Sequence, residues 1–258
     1  MKSRIPLLAL LAPAIVLGLA FADPPLTLYI AGDSTAAQKL AEKRPETGWG
    51  EDLQQYFDID QVRVENHARN GRSTRSFLAE GRWQAIVNRL RPGDCVLIQF
   101  GHNDESKEKT DRYTPPADFK ANLERMVRDV REKLALPILA TPVQRRKFDE
   151  AGKLVDTHGE YPALTRAVAR ELEVPLLDMQ ARSAALLERF GDERSRKLFL
   201  QLQPGESPNY PKGVQDNTHF SPRGAELMAR EAAEGLKALD IPLSRYVRLP
   251  AAAAASGQ

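Results

Sequence analysis

The stretch LTLYIAGDST, residues 26–35, is an apolar run of strand length that stops at Gly32 and gives way at once to Asp33, Ser34 and Thr35. A short run of this kind, ended by turn formers, reads as a buried strand. The pattern returns at VRVENHA (62–68), CVLIQFG (95–101), PILATP (137–142) and VPLLDM (174–179), making five candidate strands. Between them the period changes. In DFKANLERMVRDVREKLA, residues 118–135, Phe119, Leu123, Met126, Val127, Val130 and Leu134 fall on one helical face, with Asp118 placed as N-cap. Helices are also expected over 160–172 and 222–238, the latter introduced by Ser221 and Pro222 in cap and first-turn positions. Strands apolar on both faces that alternate with helices imply a five-stranded parallel sheet covered on both sides, a three-layer α/β/α domain.

At 258 residues the chain has room for one such domain and not for two ordinary enzyme domains. Residues 1–22 have basic Lys2 and Arg4, an apolar run, and small Ala20 and Ala22, the pattern of a secretory signal cleaved after Ala22. Pro13 interrupts a run already short for a membrane anchor. A domain over 23–250 and a disordered Ala-rich tail over 251–258 complete the expected organisation. The mature protein is then exported, periplasmic or secreted, without stable membrane association. Losing Lys2 and Arg4 brings the 37 basic residues level with the 35 acidic ones, which gives no support to nucleic-acid binding. Cys95 is the lone cysteine, inside an apolar run, and reads as buried and structural.

In open parallel sheets ligands bind beyond the carboxyl ends of the strands, so chemistry is sought there. Gly32-Asp33-Ser34-Thr35 places a hydroxyl at a strand-to-helix turn, where it could be a nucleophile or a plain helix cap. Asn70-Gly71-Arg72-Ser73 offers a glycine whose N–H can be approached closely, or a simple tight turn. Gly101-His102-Asn103-Asp104 follows CVLIQF abruptly, and Asn103 could donate from its side chain. Asp216 and His219 stand three residues apart, on a turn entering the last helix, a spacing that lets the carboxylate accept from imidazole Nδ1. Each signal is weak alone. Their fixed order, three at successive strand ends and one before the final helix, is what carries weight.

These four blocks, GDST at 32–35, the glycine of NGRS at 70–73, GHND at 101–104 and DNTH at 216–219, resemble those of the SGNH (GDSL-type) hydrolases. Together with GWGE at 48–51, NGRSTRSF at 70–77 and DNTHFSPRGA at 216–225 they look most like the bacterial rhamnogalacturonan acetylesterase branch. The resemblance spans nearly the whole mature chain. It implies a flavodoxin-like sheet, Ser34 as nucleophile, His219 as base, Asp216 as its orienting acid, and an oxyanion hole from Ser34, Gly71 and Asn103. It also implies acetylated pectic polysaccharide as substrate. Xylan or another glycan, short acyl esters generally, and a non-catalytic carbohydrate-binding role are the alternatives. The G-x-S-x-G elbow of α/β-hydrolases, phosphate-binding loops and zinc-protease motifs do not occur.

A serine served by His and Asp needs no metal or organic cofactor, and none is expected; nor is an obligate protein partner. For substrate binding, Trp49 and Glu51 could line a sugar site, although core packing suits Trp49 about as well. His102 could help shape the site, while His67 reads as structural and His158 as a polar-loop residue. Arg69, Arg72 and Arg75 flank Gly71, and Arg145, Arg146 and Lys147 follow the fourth strand on the ligand-binding edge. Positive charge gathered there would suit an acidic polysaccharide, with Arg72 and Arg75 as the candidate contacts.

Overall fold

The computed structural model describes residues 24–250, so the expected signal peptide (1–22) and Ala-rich tail (251–258) lie outside the described residues. Five strands form the parallel sheet: β1 (Leu26–Gly32), β2 (Val62–Asn66), β3 (Cys95–Gln99), β4 (Leu136–Ala140) and β5 (Leu176–Leu177). Their order is β2-β1-β3-β4-β5, the flavodoxin-like arrangement. β1 pairs with β3 so that Gly32 stands beside Gln99, and with β2 so that Ile30 stands beside Asn66. The loops beginning at Asp33, His67 and Phe100 therefore leave the sheet at one edge.

Strand side chains point alternately to the two faces, and each face has its own core. Tyr29, Ala31, Val96, Ile98 and Leu139 meet Phe77 of α1 (Thr74–Ala79), Trp83 and Ile86 of α2 (Arg82–Val87), Met126 and Val130 of α3 (Pro116–Glu132), and Val168 of α4 (Tyr161–Glu171). Leu28, Ile30, Leu97, Ile138 and Ala140 meet Leu186 and Leu187 of α5 (Met179–Ser195), and Met228, Ala232 and Leu236 of α6 (Pro222–Ala238). At about 1.5–3 kcal/mol for each fully buried large side chain, these two layers drive the fold.

Several elements depart from the expectation. Helix α3 starts at Pro116, with Pro115 in the cap position; Asp118 sits in the first turn, where its charge favours the helix N-terminus without capping it. Leu134, expected on the apolar face, lies past the helix end with φ 56° and is 73% exposed. Among the described residues, no α-helix lies between β1 and β2. Residues 33–37 make a single turn, with Ala36 and Ala37 donating to the carbonyl of Asp33, and short 3₁₀ turns carry the chain on to β2. Helix α5 was hidden by the apolar run at 174–179, because Asp178 there is an N-cap accepting from the Ala181 amide. A second, antiparallel pair, β6 (Phe199–Leu202) and β7 (Val214–Phe220), lies beyond the five strands the sequence pattern predicts. Asp216 and His219 thus stand on a strand instead of a turn. Ser221 does cap α6, accepting from the Gly224 amide.

Candidate active site

Asp33 shapes the turn that presents Ser34. Its Oδ1 accepts from the amide and the hydroxyl of Thr35, at 2.9 and 2.8 Å. From behind, Trp49 donates its amide to the Thr35 carbonyl (2.9 Å) and Gly50 donates to that of Ala36 (3.2 Å). Such contact needs a bare backbone: a Cβ on Gly48 would sit 2.1 Å from the Ala37 carbonyl oxygen. Gln99 closes the arrangement, donating to Thr35 Oγ1 (3.1 Å) while accepting from Trp49 Nε1 (2.8 Å). The serine is held on a rigid support.

Strand β7 brings the other partners to it. His219 Nε2 lies 2.8 Å from Ser34 Oγ, and its Nδ1 lies 2.7 Å from Asp216 Oδ2. Asp216 Oδ1 also accepts from the amides of Thr218 (2.7 Å) and His219 (2.9 Å). Burial works against its charge, but the hydrogen bond from His219 and these amides hold the carboxyl below its ordinary range. A carboxylate fixed at Nδ1 takes that N–H and leaves the Nε2 lone pair facing the serine hydroxyl.

Three further groups line the same cleft, of about 430 Å³: Ser34, Gly71 and Asn103. Among the described residues, the backbone N–H groups of Ser34 and Gly71 donate to no backbone acceptor outside the regular elements. Gly71 holds φ +74°, and a Cβ there would lie 2.9 Å from Arg112 Nη1. Asn103 gives one amide hydrogen to the Arg72 carbonyl (3.0 Å), which fixes its side chain beside that glycine. A serine hydroxyl beside an imidazole held by a carboxylate, with Gly71 and Asn103 lining the same cleft, is an arrangement that fits acyl transfer.

Comparison with known proteins agrees. The GDSL-like Lipase/Acylhydrolase family profile matches residues 30–227. The chain belongs to this family. It is 44% identical to the rhamnogalacturonan acetylesterase RhgT of Bacillus subtilis (strain 168), over 86% of this chain and 94% of that protein. It is 35% identical to the probable rhamnogalacturonan acetylesterase YesY of the same organism, over 85% and 96%. The crystal structure of Bacillus subtilis YxiM superposes with TM-score 0.71 at 31% identity, covering 83% of this chain and 56% of that one. The acetylxylan esterase Axe2 of Geobacillus stearothermophilus shares the fold, with TM-score 0.59 at 20% identity over 82% and 94% of the two chains.

Within this GDSL-type site, several expected contacts fall elsewhere. Trp49 is fully buried behind the Ser34 turn and faces no sugar. Glu51 is likewise internal, accepting from the Gly48 amide (2.9 Å) and pairing with Arg44. His102 is buried edge-on against His158, ring centroids 4.7 Å apart, and neither of its ring nitrogens has a partner. Burial first, and then the positive Arg145, keep it well below the ordinary histidine pKa. It backs the Asn103 loop and offers nothing to substrate. His158 does lie in the irregular segment before α4, but it is buried there against Glu105 (2.8 Å) and the Val143 carbonyl (2.9 Å).

The expected basic patch is redrawn. Arg145 pairs with Glu105, and Arg146 with Asp192 and Asn217, so both are consumed internally. Arg75 donates to the Thr110 carbonyl and does not line the cleft. Arg72 does line it, although its guanidinium is paired with Glu80. Lys43, Lys109 and Arg112 also line it, and the sequence did not single them out. Lys39 and Glu46, a buried pair next to Ser34, were missed as well. Cys95 is buried on β3, where desolvation pushes its thiol up to about 12, so it is unreactive as expected.

Proposed function

We propose that this protein is a serine acetylesterase that removes acetyl groups from a pectic polysaccharide of the rhamnogalacturonan class. The observation that carries the reading is the continuous chain Asp216–His219–Ser34, joined at 2.7 and 2.8 Å and opening on a cleft lined by Lys43, Arg72, Lys109 and Arg112. His219 takes the Ser34 proton as Oγ attacks the acetyl carbonyl, and Asp216 supports the imidazolium. The oxyanion is received by the amides of Ser34 and Gly71 and the side chain of Asn103, each such donor worth roughly 10²–10³ in rate. His219 returns the proton to the departing sugar hydroxyl, and the acetyl group stays on Ser34. Water deprotonated by His219 then releases acetate and restores the serine.

With Lys43 and Lys109 free of ion pairs among the described residues, and Arg72 and Arg112 partly offset by Glu80 and Asp111, the mouth attracts a polyanion more than a neutral chain, which favours galacturonate-containing polymers over xylan. The names of RhgT and YesY point the same way. The residues before Asp23 add the inference that the enzyme is exported to act outside the cytoplasm. Acetate release from acetylated rhamnogalacturonan and from acetylated xylan, each with a Ser34→Ala control, tests the reading. Equal or greater release from xylan would remove the pectic assignment, and activity surviving in Ser34→Ala would remove the nucleophile.

A further inference from the structure

The side chain of Lys39 is fully buried, an arrangement that is unfavourable for an ammonium group unless every donor is met. Here all three are. Nζ reaches the backbone carbonyl of Ser34, Asn70 Oδ1 at 3.0 Å and Glu46 Oε1 at 2.7 Å. Those acceptors belong to the nucleophile's turn, to the residue preceding the oxyanion-loop glycine, and to the cleft wall. One lysine therefore ties together the segments on which catalytic geometry depends. Glu46 has a second neighbour, since the same Oε1 lies 4.0 Å from His219 Nε2. Its segment is fixed from outside: Tyr210 Oη donates to Glu46 Oε2 (3.4 Å), and Asn209 Nδ2 donates to the carbonyls of Ala41 and Arg44 (2.8 Å each).

We propose that Lys39 is a positioning residue for this reaction, holding Ser34 and the Asn70–Gly71 loop in register while its charge offsets that of Glu46 beside His219. The inference rests on Ser34 and His219 acting as nucleophile and base. A base must be neutral in the free enzyme, and a carboxylate at this distance favours imidazolium. Asp216 is already in contact at Nδ1, and Asp33, whose carboxyl burial pushes up, is a further acid interacting with the histidine. Glu46 would add to them; Lys39 cancels it. The other titratable groups around the pair are Glu51 and the Tyr210 phenol, which burial and Glu46 push up to about 12 and keep neutral, with Lys43, Lys109 and Arg112 in the cleft and neutral His102 behind it.

The test is the pH profile of kcat/KM on p-nitrophenyl acetate, which does not depend on the polymer assignment. Lys39→Met should lower kcat by roughly 10-fold or more, through lost alignment, and move the acid limb to higher pH by about one unit. Glu46→Gln should move that limb to lower pH. Lys39→Met/Glu46→Gln should return it to within about 0.3 unit of wild type while the kcat loss remains. A Lys39→Met enzyme with a lower kcat but an unmoved limb overturns the proposal, because a merely structural lysine would behave that way. If Lys39→Met does not fold by circular dichroism, Glu46→Gln decides alone, and an unmoved limb overturns the proposal. Ser34→Ala measured alongside separates the failures: retained activity there sinks the site reading itself, whereas its loss with unmoved limbs sinks the role of Lys39.

Discussion

Thr74 gives both its amide and its hydroxyl to a single oxygen of Asp104, at 2.9 and 2.6 Å, and so joins the loop behind Gly71 to the loop behind Asn103. Two of the residues proposed as oxyanion donors are thereby linked through a buried carboxyl. The other oxygen of Asp104 has no partner, and burial pushes the group up to about 7.

An acid raised in this way keeps its proton in the folded protein over a window in which the unfolded chain has released it. Its contribution to stability is complete below about pH 4 and is lost as pH rises through about 7. Asp104→Asn keeps an acceptor for Thr74 but cannot titrate. Thermal melts of wild type and variant should therefore show the wild-type Tm falling relative to the variant by roughly 10 °C between pH 4 and pH 8. A constant difference would mean that Asp104 is ionised throughout.

Gly71 sits at φ +74°, where a side chain is strained, and any Cβ is directed at Arg112. Gly71→Ala should re-aim the backbone N–H and lower kcat on a small acetate ester by about 10²-fold. Its far-ultraviolet circular dichroism should be unchanged. A kcat within threefold of wild type would exclude this N–H as an oxyanion donor.

Asp216→Asn preserves the size of the group that meets His219 Nδ1 but removes its charge and can reverse the hydrogen bond. The histidine then places N–H toward Ser34 and cannot accept its proton. We expect kcat to fall roughly 10³–10⁴-fold with little change in Tm. A small loss in steady-state assays would assign the orienting role to another group.

The chemistry was more legible than the binding surface, for a physical reason. A serine after the first strand and an aspartate–histidine pair before the last helix restrict the chemistry by residue type alone, wherever the surrounding turns lie. Trp49 shows the opposite case. An aromatic residue between two glycines reads alike for a sugar platform and for a tight core, and Gln99, distant in sequence, decides it through one hydrogen bond. Arg145 and Arg146 had the right charge at the right sheet edge, but Glu105 and Asp192 claim them. Lys109 and Arg112 reach the cleft from an irregular loop with no periodicity to mark their direction. Residues 214–220 are polar between Val214 and Phe220 and are half-buried or exposed up to Phe220, so β7 lacks the apolar signature that marks β1 and β3.

Charge at the cleft mouth gives a measurable signature of the substrate. Lys43 and Lys109 are exposed and, among the described residues, make no ion pair within the chain, while the Arg112 guanidinium shares its charge with the exposed Asp111. Exposed cations act on a polyanion over about a Debye length, near 10 Å at 0.1 M salt and 3 Å at 1 M. Raising salt from 0.05 to 0.5 M should therefore lower kcat/KM on acetylated rhamnogalacturonan by roughly 10-fold. The same change should leave p-nitrophenyl acetate nearly unaffected, because that ester carries no charge to steer. Lys43→Ala/Lys109→Ala should weaken the salt dependence on the polymer and leave the ester rate intact, as neither lysine contacts the triad. Equal salt sensitivity on both substrates would show that the cations play no part in recognition, and the preference for a pectic chain would then have to come from uncharged contacts along the cleft.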